Sequence, residues 1–273
     1  MGETLAATGE GRDGDWLEIG ECPPIVVDNP GGESPFLIIV DHAGQAIPRV
    51  LGDLGVPADE LDRHIGWDIG AGALGLELGR MLGATVVRQT YSRLVIDCNR
   101  DPARADAVPE VSDGTPVPAN QELGTAGRAV RVAQIHAPYH AGIATLLDAR
   151  AERSTALLLL HSFTPVMRGC ARPWRYGVLH DGGALALAVL ARLRAEAPPP
   201  IGDNEPYAMD AVDYTAFRHG RDRGLTFVEI EVRQDLLLTA EGRTEVATLL
   251  ARLLPAALAA VLPDITPATA PAG

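Results

Sequence analysis

Aromatic residues make up only 4% of this 273-residue chain, too few for the stacked platforms that hold single-stranded nucleic acid. Positive charge is also in deficit. The formal net charge of −13 argues against nucleic acid or an anionic membrane as partner, though not against a small anionic substrate met by a local basic clamp. The three cysteines, Cys22, Cys98 and Cys170, stand far apart without a CxxC pair. A disulfide framework and a cysteine zinc knuckle are therefore poor readings. The first residues (MGETLAATGEGRDGDW) are acidic and glycine-rich, unlike a secretory signal. No run reaches the length of a membrane span; the closest, Leu253 to Leu262, contains Pro255 and reads as part of an amphipathic terminal helix. The expected location is the cytoplasm.

What is present is strand–helix alternation. Strands are expected at 36–41, Thr85–Gln89, Leu94–Cys98, Ala156–His161, Gly177–His180 and Leu225–Val232. Helices are expected over Asp59–Leu82, Ala126–Arg150 and Ala184–Glu196, with a last one from an N-cap at Thr239 to Leu262. The pattern implies a single three-layer α/β domain over residues 16–262, a mainly parallel mixed sheet with helices on both faces. Residues 1–15 and 263–273 lack periodicity and read as a mobile segment and a disordered tail. Asp101–Glu122 is long and rich in Pro, Asp and Gly, which marks a candidate active-site loop. The segment SFTPVMRGCARPWRYG brings Arg168, Arg172 and Arg175 within possible reach of the same place.

Several apolar runs end in polar groups, as open α/β sheets do where they build active sites. YSRLVIDCNR (91–100) runs into Asp97, Asn99 and Arg100, a potential anion clamp. Phe36–Val40 leads to Asp41 and His42, and Leu157–Leu160 leads to His161 and Ser162. Two strand-end histidines and a carboxylate would make a catalytic zinc site. Asp68 and Asp41 are candidate third ligands, with His64 as a substitute on the helical face of Asp68. In VEIEVRQD, alternation puts Glu229 and Glu231 on one face. That face is either a solvated edge or the place for a general base. Gly70, Gly72 and Gly75 form a GxGxxG, but the residues before it read as helix. Close helix–sheet packing explains it better than a dinucleotide. Cys98 reads as a small buried residue pointing away from Asp97 and Asn99, not as a nucleophile.

Together, DHAGQAIP (41–48), HIGWD (64–68), YSRLVIDCNR (91–100), PYH (138–140), HSFTP (161–165), NEPY (204–207) and VEIEVRQDLL (228–237) resemble the N-formylglutamate amidohydrolase family, in the same order. That family is similar to zinc carboxypeptidases and aspartoacylases, which share an α/β fold and a zinc held by two histidines and a carboxylate. The resemblance implies His42, Asp68 and His161 as metal ligands and Glu231 as the catalytic carboxylate. It implies Asn99 and Arg100 as the substrate-carboxylate site, with Arg93 matching the arginine before them. Better-known members read His-Ser-Gly and His-Ser-Met-Pro where this chain has His42-Ala43-Gly44 and His161-Ser162-Phe163-Thr164-Pro165. These departures bear on the acyl group more than on the zinc. The expectation is a zinc-dependent hydrolase of an N-acyl acidic amino acid, formyl first, with a small molecule as its partner and another divalent metal as a variant. The rival is a metal-free sensor that binds small carboxylates on the same fold.

Overall fold

The aliphatic runs of the sequence form the middle of a seven-stranded sheet in the computed structural model, which describes residues 16–17, 20–210 and 212–262. The expectations for 1–15 and 263–273 fall outside those residues. The first half of the chain supplies β1 (Ile25–Asp28), β2 (Phe36–Val40), α1 (Ala58–Leu61), α2 (Ala71–Leu82), β3 (Thr85–Gln89), a small hairpin of β4 (Val111–Ser112) and β5 (Thr115–Pro116), and α3 (Pro118–Gln121). A long helix follows, made of α4 (Thr125–Arg131), a π-helical turn (Val132–His136) and α5 (Ala137–Asp148). Then come β6 (Ala156–Phe163), a second hairpin of β7 (Val166–Met167) and β8 (Cys170–Ala171), β9 (Tyr176–Leu179), α6 (Ala184–Glu196), β10 (Ile201–Asp203), β11 (Thr226–Arg233) and α7 (Ala240–Val261).

Strand order is β1-β3-β2-β6-β11-β9-β10. The β3/β2, β2/β6, β6/β11 and β9/β10 pairs are parallel; β1/β3 and β11/β9 are antiparallel. Every residue of β2 and β6 is buried, as expected for central strands covered on both faces. Alternation splits their side chains between two cores. Ile38, Val40, Leu158, Leu160, Val228 and Ile230 pack with α2, α6 and α7. Leu37, Ile39, Leu157 and Leu159 face α5 and the buried Leu94–Ile96. The result is a three-layer α/β domain with a mixed sheet. The two edge-side strands β1 and β10 were not anticipated, because four and three residues carry no usable period.

Two expected elements are corrected. Leu94–Cys98 is not a strand but a buried run of turns. Its carbonyls are held by side chains distant in sequence: Asn120 Nδ2 donates to Leu94 O (2.9 Å) and Arg131 Nη1 to Val95 O (2.7 Å). Such bonds satisfy a buried backbone without a ladder. The expected helix Asp59–Leu82 is also two pieces, separated by an irregular 62–70 segment. Gly70, at φ 81°, starts α2 from a left-handed conformation that a side chain would strain. His64 and Asp68 therefore do not share a helical face.

α7 begins at the expected N-cap, with the Thr239 hydroxyl accepting from Gly242 N at 3.0 Å. It is 22 residues long and contains an 18-residue window of mean hydropathy 1.5, long and apolar enough for a span, contrary to the sequence expectation. Its Val246, Leu250, Leu253, Leu254 and Leu258 are buried in the core shared with α2 and α6, the role of a covering helix.

The glycine triplet comes after a turn segment, not a strand, so the dinucleotide reading falls. Of the three, Gly75 lets α2 approach the sheet, as does Gly79: an added Cβ would lie 2.9 Å from Val40 Cγ2 at the first and 2.3 Å from Val86 Cγ2 at the second. Val86 is buried in an interior strand and β-branched, so it has little freedom to move. Gly79→Ala should destabilise the fold by about 1–3 kcal/mol through overpacking, despite alanine's better helix propensity. Urea unfolding checks this; a midpoint at or above the parent's would show that the contact is soft.

Candidate metal centre

Three elements converge where β2 and β6 end. His42 comes shortly after β2, and its carbonyl accepts from Asp68 N at 2.9 Å, which ties the 62–70 segment to the strand end. His161 lies within β6, and the parallel register sets it opposite Glu231 of β11. His42, Asp68 and His161 are all buried, and one ligand atom from each lies within 4.8 Å of the other two. The pivot is Asp68 Oδ2, at 3.0 Å from His161 Nδ1 and 3.5 Å from His42 Nδ1. Two ligands on a tetrahedral zinc, with bonds of about 2.0–2.1 Å, stand roughly 3.3 Å apart. The donor set fits such an ion. His42 Nδ1 is buried without a hydrogen-bond partner, a cost that a cation would remove.

Each imidazole is backed by carboxylates on its other nitrogen. Asp97 Oδ1 lies 2.7 Å from His42 Nε2. Asp41 Oδ2 and Glu229 Oε1 lie 3.6 and 3.9 Å from His161 Nε2. Asp41 is itself held by the Tyr139 and Thr215 hydroxyls, which donate to its Oδ1 at 2.8 and 2.9 Å. A hydrogen-bonded carboxylate behind a ligand histidine fixes its tautomer and strengthens the ligand, as Asp97 does for His42; His161 Nε2 has no hydrogen-bond partner among the described residues.

Burial pushes both imidazoles toward the neutral form, and Arg93 adds to that at His42. The carboxylates prevail: Asp97 and Asp68 raise the pKa of His42, and Asp68, Glu229 and Glu231 raise that of His161 well above the usual value. Asp68 and Asp97 stay below the usual carboxylate range although burial opposes it, Asp68 through His42 and His161, Asp97 through Arg93 and His42. Burial raises Glu231 to about 7 against the pull of His161, within the range that suits a general base.

His42, Asp68, His161 and Glu231 line one cavity of about 380 Å³ together with Asn99 and Arg100. Residues 34–238 match the family model for N-formylglutamate amidohydrolase. The chain belongs to the N-formylglutamate amidohydrolase family. Among solved structures it is similar to gene product Atu2144 from Agrobacterium tumefaciens, at 34% identity and TM-score 0.86, with 90% of this chain and 99% of that one covered. It is also similar in fold to the N-formylglutamate amidohydrolase from Ralstonia eutropha JMP134, at 22% identity and TM-score 0.58, covering 86% and 97%. No protein of curated function matches it.

The structure thus brings together His42, Asp68, His161, Glu231, Arg93, Asn99 and Arg100. His64 lies on the cavity wall as well, but its Nε2 faces Asp113 at 3.3 Å, and Asp41 stands behind His161. Arg93 lines the cavity while binding carboxylates: its Nε and Nη2 donate to Asp97 Oδ2 at 3.1 and 2.6 Å, and Nη1 approaches Asp68 Oδ1 at 3.5 Å. The 101–122 loop does reach the cavity through Asp106, Pro109, Ser112 and Asp113. Arg168, Arg172 and Arg175 do not line it; Arg172 stops at the rim, donating to the Tyr207 hydroxyl at 2.9 Å. Cys98 is buried and burial holds its thiol far from ionising. Sequence reading missed the backing roles of Asp97, Asp41 and Glu229. The one available signal was that Asp41 adjoins a candidate ligand.

Metal affinity separates these residues. Asp68→Asn should lose most zinc binding, because an amide is a weak zinc ligand. Asp97→Asn should weaken it about 10–100-fold, and His64→Ala should leave it near the parent value. Competition with a chromogenic chelator measures all three; the reverse ranking of Asp68→Asn and His64→Ala would move the centre.

Proposed function

We propose that this chain is a zinc-dependent hydrolase that cleaves the amide bond of a small N-acyl amino acid, an N-formyl acidic amino acid such as N-formylglutamate first. One observation carries the reading: a buried His-Asp-His group and the separate buried carboxylate of Glu231 face the same cavity as Arg100 and Asn99. Family membership supports the amide chemistry.

Zinc held by His42, Asp68 and His161 would supply Lewis acidity and a water of lowered pKa. Glu231 takes the proton of the attacking water. As the C–N bond breaks, Glu231 passes that proton to the leaving nitrogen, giving a carboxylic acid and an amine, which exchange a proton to become a carboxylate and an ammonium. Arg100 and Asn99 hold a carboxylate of the substrate, so that the scissile bond meets the centre in one orientation. Arg93 holds Asp97 and Asp68 in place and keeps a cationic face toward the same space. A cytoplasmic location belongs to this reading, in keeping with exposed free thiols at Cys22 and Cys170.

Glu229 and Glu231 share a strand face, but their surroundings differ. Glu229 stands behind His161, near Asp213 and Asp41, whereas Glu231 feels Asp68, His42 and Arg93. Glu231→Gln should lower turnover of N-formylglutamate about a hundred-fold or more with zinc retained, and Glu229→Gln should cost much less. A Glu229→Gln enzyme more damaged than Glu231→Gln would shift the base by two residues.

A panel of N-acyl amino acids assayed for released amine, with and without chelator, tests the activity itself. Turnover should be greatest on N-formyl compounds and vanish with chelator. Full activity in a protein stripped of metal would end the zinc reading.

A further inference from the structure

Three buried imidazoles meet just behind the cavity wall. His136, His140 and His219 are at most 3% exposed, and none lines the cavity. Both helical segments that carry them pass through a π-helical turn, Val132–His136 and Ala216–Gly220. Such turns widen a helix and commonly accompany functional sites. In the first, Pro138 two residues beyond offers no N–H and crowds the carbonyl four residues back, which favours the wider turn.

The imidazoles reach the backbone of the turn that holds Asn99 and Arg100. His140 Nε2 lies 2.8 Å from Cys98 O, and His136 Nε2 lies 2.9 Å from Arg100 O. A carbonyl only accepts, so both Nε2 atoms carry the proton. His140 Nδ1 is then an acceptor, and His219 Nε2 donates to it at 2.9 Å. The second segment adds Thr215 N, which donates to Asn99 Oδ1 at 3.0 Å, and Tyr214 N, which donates to Asn99 O at 3.4 Å. Three successive carbonyls, of Cys98, Asn99 and Arg100, are thus each held by a donor from these two segments. Asp97 Oδ1 fixes the turn from within by accepting from Asn99 N at 2.9 Å. Arg100 Nη1 donates to Asn99 O and Val212 O at 3.0 and 3.3 Å. Its Nη2 and the Asn99 Nδ2 have no hydrogen-bond partner among the described residues.

We propose that His136, His140 and His219 are positioning residues for substrate recognition: they lock the Cys98–Arg100 turn so that Asn99 and Arg100 meet the substrate carboxylate as one rigid clamp. This rests on the amidohydrolase reading above. Rigid support of a contacting group is what turns binding energy into orientation. A second metal site is a poorer account of the cluster, because His136 Nε2 and His140 Nε2 are already committed to carbonyls. Burial keeps all three rings neutral, with His219 as low as about 3, so they hold the turn as uncharged donors.

The test uses the zinc-loaded full chain and three compounds: N-formylglutamate and its two monoamides, N-formylglutamine and N-formylisoglutamine. The parent should strongly prefer the diacid over one of the monoamides. In His136→Leu and His140→Leu, KM for the diacid should rise about ten-fold, as for loss of a hydrogen bond to a charged group. Turnover number should fall less, preference over that monoamide should drop in parallel, and zinc per chain should be unchanged. His136→Gln and His140→Gln retain a donor and should keep the preference. His219→Leu removes only the far end of the chain of bonds and should move the preference the same way; it decides if the other leucine variants do not fold. The proposal is overturned if folded leucine variants keep the parent's preference, if they lose zinc, or if the glutamine variants behave as the leucine ones. A parent that hydrolyses none of the compounds defeats the amidohydrolase reading instead. Calorimetric binding of the same three compounds then tests the array, with the same ranking of variants expected.

Discussion

A single carboxylate oxygen, Oδ2 of Asp68, lies 3.0 Å from His161 Nδ1, 3.5 Å from His42 Nδ1 and 3.2 Å from Ser162 N. It is buried, and so are the other four carboxylates around it, Asp41, Asp97, Glu229 and Glu231. An uncompensated buried charge is held only at heavy cost, so the surroundings must supply positive charge or protons. Arg93 supplies one such charge, and the raised His42 and His161 supply more. Burial raises Glu229, against the pull of His161. A divalent cation at the same point would do the work of those imidazole protons. The electrostatics and the ligand geometry of the group thus both suit a cation there.

The sheet makes this concentration of charge possible. β2, β6 and β11 are adjacent and parallel, so their carboxyl ends lie side by side and Glu231 falls level with His161. The antiparallel β9 on the far side of β11 puts Gly177 beside Glu231, and the Glu205 carbonyl packs there so closely that an added Cβ would lie 2.1 Å from it. Asp68 comes from no strand. It is placed by the break between α1 and α2 and by backbone bonds that run from 62–70 to His42 and, through Gly66 O, to Arg93 N. The same break therefore sets both a candidate ligand and the arginine that steadies it.

Strand-end residues were legible because a buried parallel strand announces itself as an aliphatic run, and the residues at the carboxyl end of such a run lie at the sheet's functional edge. His42, His161 and the Glu229–Glu231 face were found this way. Leu94–Ile96 deceived for the same reason: a short apolar run reads alike as strand or as buried turn. Its real partners, Asn120 and Arg131, are 26 and 36 residues away from the carbonyls they hold, beyond any local pattern. The continuous helix over 59–82 failed because residues 62–70 run through turns and Gly70 takes a left-handed angle. Arg93 shows a different limit. Spacing gives its presence beside the site, but only geometry shows that its guanidinium already grips Asp97.

Arg93 and Arg100 come from one short segment and do different work. Arg93 faces two buried carboxylates, and its charge is largely answered there. Arg100 hangs from two backbone carbonyls, and its one ion pair among the described residues is with Asp106, at 3.5 Å, on a half-exposed side chain, while its charge also bears on Asp97 and Asp213. Its charge is the one most available to a ligand in the cavity. The net charge of −13 does not oppose that, because screening limits exposed charges to about 8 Å at physiological salt, whereas a charge lining a cavity acts at contact. All 23 basic residues of the chain are arginine. An arginine keeps its proton when half-buried and offers a planar fork to a carboxylate. A lysine in the same place would lose affinity for its proton as water was excluded. On the proposed reading, anion recognition in this acidic chain would depend on how firmly one guanidinium is held, and the backbone turn that carries Arg100 is among the most heavily bonded segments around the site.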